Sequence, residues 1–211
     1  MVVTFDEVNT YITNLYAART NLTQWQYARE TELKEYIPTV DDDVARFLGV
    51  MLHLLRAKCV LEIGTSIGYS TVSMAQAVKA YQGRIVTVEY DEQVARQARL
   101  NFERSGVSDS IELLQGDARE ILPQLSGEFD LVFLDVDKRL YAPLLADCLR
   151  LLRPGGVLIA EDTLFPVIEL ESKWHHLIAP IEEFNRAVVA LGDVESTVLP
   201  IGDGVTLAVK K

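Results

Sequence analysis

Apolar positions recur at helical spacing early in the chain, where Val44, Phe47, Leu48, Met51, Leu52 and Leu55 follow the acids Asp41, Asp42 and Asp43. The stretch 4–56 reads as two or three helices. After Lys58 the texture changes to short apolar runs alternating with helical stretches. Cys59–Ile63, Arg84–Glu89, Ile111–Gln115, Phe129–Leu134 and Val157–Ala160 are predicted strands. Tyr69–Ala80, Asp91–Ser105, Ala118–Leu122, Tyr141–Leu152 and Trp174–Leu191 are predicted helices. Such alternation implies a parallel sheet, because parallel strands need long crossovers and right-handed crossovers cover both faces with helices. The end differs: Glu195–Leu199 and Val205–Val209 flank Pro200-Ile201-Gly202-Asp203-Gly204, which predicts a closing antiparallel hairpin. No repeat or linker interrupts the pattern. The expectation is one α/β domain over 1–211, with a helical extension at 1–56 and a core at 57–211.

The length of 211 residues, with 49% hydrophobic and 24% charged, is that of an ordinary globular chain and excludes a disordered or collagen-like one. A net charge of −11 repels phosphate backbones and anionic membranes. Cys59 and Cys148 lie in apolar contexts without metal-site spacing and read as reduced core residues. The N-terminus lacks a secretory pattern and no apolar run is long enough to span a bilayer, so a cytoplasmic location is expected.

In an open parallel sheet, ligands sit beyond the carboxyl ends of the strands. Those ends are polar here: Glu62-Ile63-Gly64-Thr65-Ser66-Ile67-Gly68-Tyr69-Ser70, Glu89, Asp117-Ala118, Asp135-Val136-Asp137-Lys138 and Glu161-Asp162. Ser66 stands where a pyrophosphate loop needs its middle glycine, which disfavours a dinucleotide. Glu89 ends the second strand, where a carboxylate accepts hydrogen bonds from both ribose hydroxyls of a nucleoside. A nucleoside without a pyrophosphate points to S-adenosylmethionine. The same loop is a literal G-x-S-x-G, so a hydrolase using Ser66, an acid such as Asp135 or Asp162, and His175 or His176 is the rival. Against that rival, only helices precede the strand that leads to Ser66, and Glu89 and the Asp135 cluster go unexplained. A third reading makes both glycines a tight turn and nothing more.

Val60–Ser70, Phe133–Tyr141, Pro154–Phe165 and Leu199–Leu207 together resemble the small metal-dependent O-methyltransferases, in register from about Ile37 onward. That group includes caffeoyl-CoA and catechol O-methyltransferases and a bacterial branch acting on 5-hydroxyuridine in tRNA. The resemblance implies a Rossmann-like seven-stranded class I methyltransferase sheet, mostly parallel with a C-terminal antiparallel hairpin, usually assembled as a homodimer. It implies S-adenosylmethionine contacts at Val40, Glu62, Gly64, Thr65, Tyr69, Ser70, Glu89, Asp117, Ala118, Asp135 and Asp137. Asp117 also suits a helix cap, with Glu120 completing a capping box.

Neighbouring parallel strands lie about 4.8 Å apart, so strands four and five would bring Asp135, Glu161 and Asp162 together. Oxygen-only ligation selects a hard divalent cation, Mg²⁺ first, with Mn²⁺ and Ca²⁺ as competitors. The expected mechanism has the metal acidify one of two vicinal hydroxyls and Lys138 take its proton before methyl transfer. Lys138 read alone is equally a solvated residue paired with Asp137. Glu161 and Asp162 depart from the Asp and Asn of the relatives, and Pro166 replaces a substrate-contacting Asn of plant members, which counts against a caffeoyl-CoA acceptor. Phe165, Trp174 and Tyr141 are candidates for an apolar wall against an aryl group; His175 and His176 read as a solvated helix face. The acceptor is therefore expected to be a small aromatic or vicinal-diol molecule, most simply a catechol. The alternatives are tRNA, which a basic patch at Arg19, Arg29, Lys34 and Arg46 would favour, and a non-catalytic S-adenosylmethionine binder.

Overall fold

The computed structural model describes residues 5–18, 23–36 and 38–211. Three helices come first: α1 (Phe5–Tyr16), α2 (Gln24–Glu30) and α3 (Asp42–Leu55). Helix α2 opens on a reciprocal cap, the Thr23 hydroxyl accepting from the Gln26 N–H and the Gln26 side chain from the Thr23 N–H. Helix α3 carries Asp42 and Asp43 in its first turn, where the helix dipole favours acids. Its predicted stripe is the buried face: Val44, Leu48 and Leu52 are inaccessible, with Phe47, Met51 and Leu55 packed beside them.

The core alternates as expected: β1 (Cys59–Ile63), α4 (Tyr69–Val78), β2 (Arg84–Glu89), α5 (Glu92–Arg104), β3 (Ile111–Gln115), α6 (Ala118–Ile121), β4 (Phe129–Leu134), α7 (Tyr141–Leu151), β5 (Leu152–Ala160), α8 (Ile178–Val189), β6 (Val194–Leu199) and β7 (Val205–Lys210). The sheet order is β3-β2-β1-β4-β5-β7-β6, with β7 antiparallel to both neighbours. Side chains on successive strand positions point to opposite faces. Leu61 and Ile63 therefore join one core with Leu144, Cys148 and Phe184, while Val60 joins the other with Leu48, Met74 and Phe102.

Two boundaries differ from expectation by more than two residues. Strand β5 starts at Leu152, which pairs with Phe129, and a register shift follows before Leu131 meets Val157. Pro154-Gly155-Gly156 is thus a bulge inside the strand, with Gly155 at φ +71°. The predicted helix from Trp174 divides into a 3₁₀ segment (Ser172–Leu177) and α8. Pro180 explains the break: in the first turn of a helix starting at Ile178 its missing N–H costs nothing, whereas inside a longer helix it would remove a hydrogen bond.

Strand order reverses between β1 and β4, so the chain leaves these neighbours in opposite directions and opens a crevice there. The Asp135 N–H bonds the Ile63 carbonyl, which ties the exits of β4 and β1 together, and the Gly64 N–H bonds the Val88 carbonyl of β2. Gly64 has φ +99°, and a Cβ there would collide with the Asp135 carbonyl oxygen. Gly64→Ala should therefore cost on the order of 3 kcal/mol through strain and overpacking. Urea unfolding checks this; an unchanged midpoint would contradict the packing described.

Candidate active site

A cavity of about 1340 Å³ occupies this crevice. Glu89 and Tyr90 from the end of β2, Asp117 and Ala118 from the end of β3, Gly64 and Ser66 after β1, and Val40 before α3 line one part of it. Asp135, Asp137, Lys138, Glu161 and Asp162 line another, continuous with Phe165, Leu170, Trp174 and Leu177. The Glu89 carboxylate is fixed by the N–H groups of Ser66 (2.9 Å) and Asp91 (3.0 Å). Burial raises its pKa against the pull of those donors. Asp117 caps α6 by accepting from the Arg119 N–H, but the Arg119 side chain grips it in place of a capping box with Glu120. Asp137 repeats this with Arg139. The Arg119 and Arg139 guanidiniums hold these two carboxyls below the ordinary aspartate value.

Four residues assigned to the cofactor loop stand behind the cavity wall rather than on it. Glu62 is inaccessible and accepts hydrogen bonds from Ser70 (2.5 Å), Thr71 and Thr87 (2.6 Å), while Thr65 pairs with Thr87. The Tyr69 hydroxyl donates to Asp42 (2.6 Å), joining α4 to α3. These contacts hold the loop and the start of α4 in place.

At the ends of β4 and β5, oxygens of Asp135, Glu161 and Asp162 lie within 4.8 Å of one another. The β4–β5 pairing of Leu134 with Ala160 sets this convergence. Asp162 takes a left-handed backbone, φ +61°, a conformation Asp tolerates better than most side chains. Lys138 is 7% exposed and not solvated; its Nζ lies 2.7 Å from Asp135 and 2.8 Å from Asp162, not on Asp137. Burial alone would depress its pKa, but Asp135, Tyr141, Asp162 and Glu161 outweigh that and hold it well above the ordinary lysine value. Burial and the neighbouring Asp162 and Asp135 charges push Glu161 well up. The oxygen-only donor set, crowded and negative, fits a hard divalent cation.

Tyr141 is not part of an aryl-facing wall. It is inaccessible, its hydroxyl accepting from Lys138 (3.0 Å) and lying 3.0 Å from the Leu134 carbonyl and 3.1 Å from that of Glu161. Phe165 and Trp174 do line the cavity, and so does His176; the His175 ring contacts the Leu170 carbonyl. Asp41 and Asp203 also face the cavity, although no role was expected of them. Burial, then the charges of Asp43, Asp203 and Asp162, raise Asp41 to about 6. The antiparallel register Ala160↔Thr206 carries the β6–β7 turn, and Asp203 with it, back to the end of β5; reading that register from the sequence would have found it.

A model of the O-methyltransferase family matches residues 19–211. The chain belongs to the O-methyltransferase family. This O-methyltransferase is 35% identical over 183 residues to a catechol O-methyltransferase of Niastella koreensis, covering 82% of each chain. It is 31% identical to caffeoyl-CoA O-methyltransferase 1 of Eucalyptus globulus, covering 81% of this chain and 74% of that one. Among solved structures, an O-methyltransferase from Bacillus cereus in complex with SAH aligns with TM-score 0.79 at 27% identity, over 97% of both chains. TomG from Streptomyces achromogenes, in complex with SAM, aligns with TM-score 0.80 at 26% identity, over 97% of this chain and 96% of that one. The hydrolase reading of Ser66 falls: the chain belongs to the O-methyltransferase family, and β1 follows helices alone among the described residues.

Burial lifts the Glu62 carboxyl from 4.5 to about 7 despite three hydroxyl donors. The folded state then holds that proton more tightly than the unfolded chain. Its stabilisation is full below the ordinary glutamate value and is lost as pH rises through about 7, on the order of 3 kcal/mol across the window. Comparing Glu62→Gln with the parent by urea unfolding at pH 5 and pH 8 should show the parent losing ground as pH rises; a constant difference would refute the assignment.

Proposed function

We propose that this O-methyltransferase moves the methyl group of S-adenosylmethionine to a hydroxyl of a small acceptor with adjacent oxygens, most simply a catechol, with a divalent cation at Asp135, Glu161 and Asp162. The observation that carries this reading is the carboxylate cluster in the same cavity as the anchored Glu89. The catechol O-methyltransferase among its relatives and the SAH- and SAM-complexed neighbours support it.

Each part of the cavity then has a task. Glu89, held by two backbone N–H groups, presents its carboxylate to the ribose hydroxyls, and Asp117 with Ala118 bounds the adenine. Val40, Gly64 and Asp137 bound the methionine end, with Glu62, Thr65, Tyr69 and Ser70 fixing the loop from behind. A bound divalent cation, Mg²⁺ foremost, would supply Lewis acidity for the acceptor's adjacent oxygens. Phe165, Leu170 and Trp174 give a planar acceptor an apolar surface and exclude water. Lys138, at the carboxylate cluster, is the group assigned to take the acceptor's proton, but while paired with two carboxylates it keeps its own.

The proposed setting is the cytoplasm, with both cysteines free and no described helix long and apolar enough to cross a membrane. A second copy of the chain is the proposed partner, since Val8, Tyr11, Leu15, Val50 and Leu54 leave apolar surface exposed on α1 and α3. The basic residues considered for RNA gain no support. Arg29 and Lys34 are interspersed with Glu30, Glu32 and Glu35, Arg46 lies over the Tyr16 ring, and Arg19 lies outside the described residues.

Methyl transfer from labelled S-adenosylmethionine to catechol, run with Mg²⁺, with Mn²⁺ and with EDTA, tests the reading. Transfer should require the metal, and Glu161→Ala and Lys138→Ala should each lower kcat by about 10²–10⁴-fold. Activity that survives EDTA removes the metal from the account. Activity that survives both substitutions removes the assigned chemistry.

A further inference from the structure

The same three carboxylates have a cation of their own. Lys138 Nζ stands 2.7 Å from Asp135 Oδ1, 2.8 Å from Asp162 Oδ2 and 4.0 Å from Glu161 Oε2. A divalent ion must approach its oxygen ligands to about 2.0–2.6 Å. With the three oxygens all within 4.8 Å of one another, an ion bound to them would share the carboxylates of Asp135 and Asp162 with the ammonium. Two cations drawing on the same carboxylates in a buried site repel strongly, because the interior screens charge poorly.

We infer that Lys138 is the resident counter-cation of this cluster and competes with a divalent ion for the same oxygens, so that loading the site and releasing Lys138 from Asp135 and Asp162 are one event. This rests on the metal-assisted reading above. Three features of this chain support it. Asp162 brings a formal charge that an amide could not, and that charge makes one of the two close contacts to the ammonium. Glu161 stands farther off at 4.0 Å, so the ammonium leaves one carboxylate only weakly engaged. The Tyr141 hydroxyl, 3.0 Å from Nζ, is a partner that a carboxylate-bound ion does not claim. Its proton is directed to the Leu134 and Glu161 carbonyls, so it keeps a lone pair facing the lysine. Tyr141 is thus a positioning residue: it gives the released amine a fixed point beside the cluster.

The test is Mn²⁺ affinity by titration calorimetry on the full chain and on Lys138→Met, a neutral side chain of similar length. Removal of the competing charge should tighten Mn²⁺ binding by about tenfold or more. The variant should also be less heat-stable than the parent without metal, because the buried carboxylates lose their cation, and should gain more Tm from Mn²⁺ than the parent does. Equal or weaker binding by Lys138→Met, with Mn²⁺ still bound by the parent, overturns the competition and leaves the metal-assisted reading standing. Failure of both proteins to bind Mn²⁺ overturns both the competition and the metal-assisted reading. Should the variant not fold even with Mn²⁺, the parent alone decides. Acetylation of Lys138, followed by mass spectrometry, is expected to be severalfold faster with Mn²⁺ than with EDTA, and unchanged or slower labelling overturns the inference.

Discussion

The burial of like charges at the rim of β4 and β5 is the constraint on which the site depends. Asp135, Glu161 and Asp162 lie close together in a poorly screened place, which pushes the Glu161 carboxyl toward its protonated form, and the Lys138 ammonium pairs closely with the other two. Such a cluster costs free energy unless its charge is balanced and its geometry fixed. The fold supplies the geometry through backbone pairing. The Asp135 N–H is tied to the Ile63 carbonyl, the Glu161 N–H to the Leu134 carbonyl, and the Tyr141 hydroxyl sits between Leu134 and Glu161. Charge balance is left to Lys138 and to what enters the cavity.

The rest of the crevice follows from the same switch in strand order. Beyond the carboxyl ends of β1, β2 and β3, Glu89 and Asp117 are held by backbone N–H groups and by Arg119, which fixes this polar wall. Across it, Phe165, Leu170 and Trp174 come from the segment between β5 and α8. In the proposed function, one end of the cavity would recognise a nucleoside by hydrogen bonding, and the other would receive a planar, oxygen-rich molecule beside the carboxylate cluster. The two would meet at Gly64 and Asp135, where the backbones approach too closely for a side chain at position 64.

Much of this was legible in the sequence. Strands β1, β2 and β4 fall where apolar runs predict them, because a central strand buried on both faces leaves little freedom in composition, and the half-buried edge strand β3 also falls at its predicted place. The acids at the strand ends were legible because the carboxyl edge of a parallel sheet is where polar residues must be explained. What escaped depends on distance along the chain. Asp41 and Asp203 reach the cluster only through packing of α3 and the register of β7 on β5, which composition does not reveal. Tyr141 reads as an aromatic beside a ligand site, and only its burial shows that it serves through its hydroxyl. The bulge at Gly155 and the restart at Ile178 are local turn and proline effects that tertiary pairing resolved.

The most direct measurement is anomalous diffraction from crystals of the full chain grown with Mn²⁺ and S-adenosylhomocysteine. The account predicts one manganese peak about 2.0–2.6 Å from oxygens of Asp135, Glu161 and Asp162, with Lys138 Nζ withdrawn from Asp135 and Asp162. A site without manganese, or manganese bound elsewhere while Lys138 keeps both carboxylates, would contradict it.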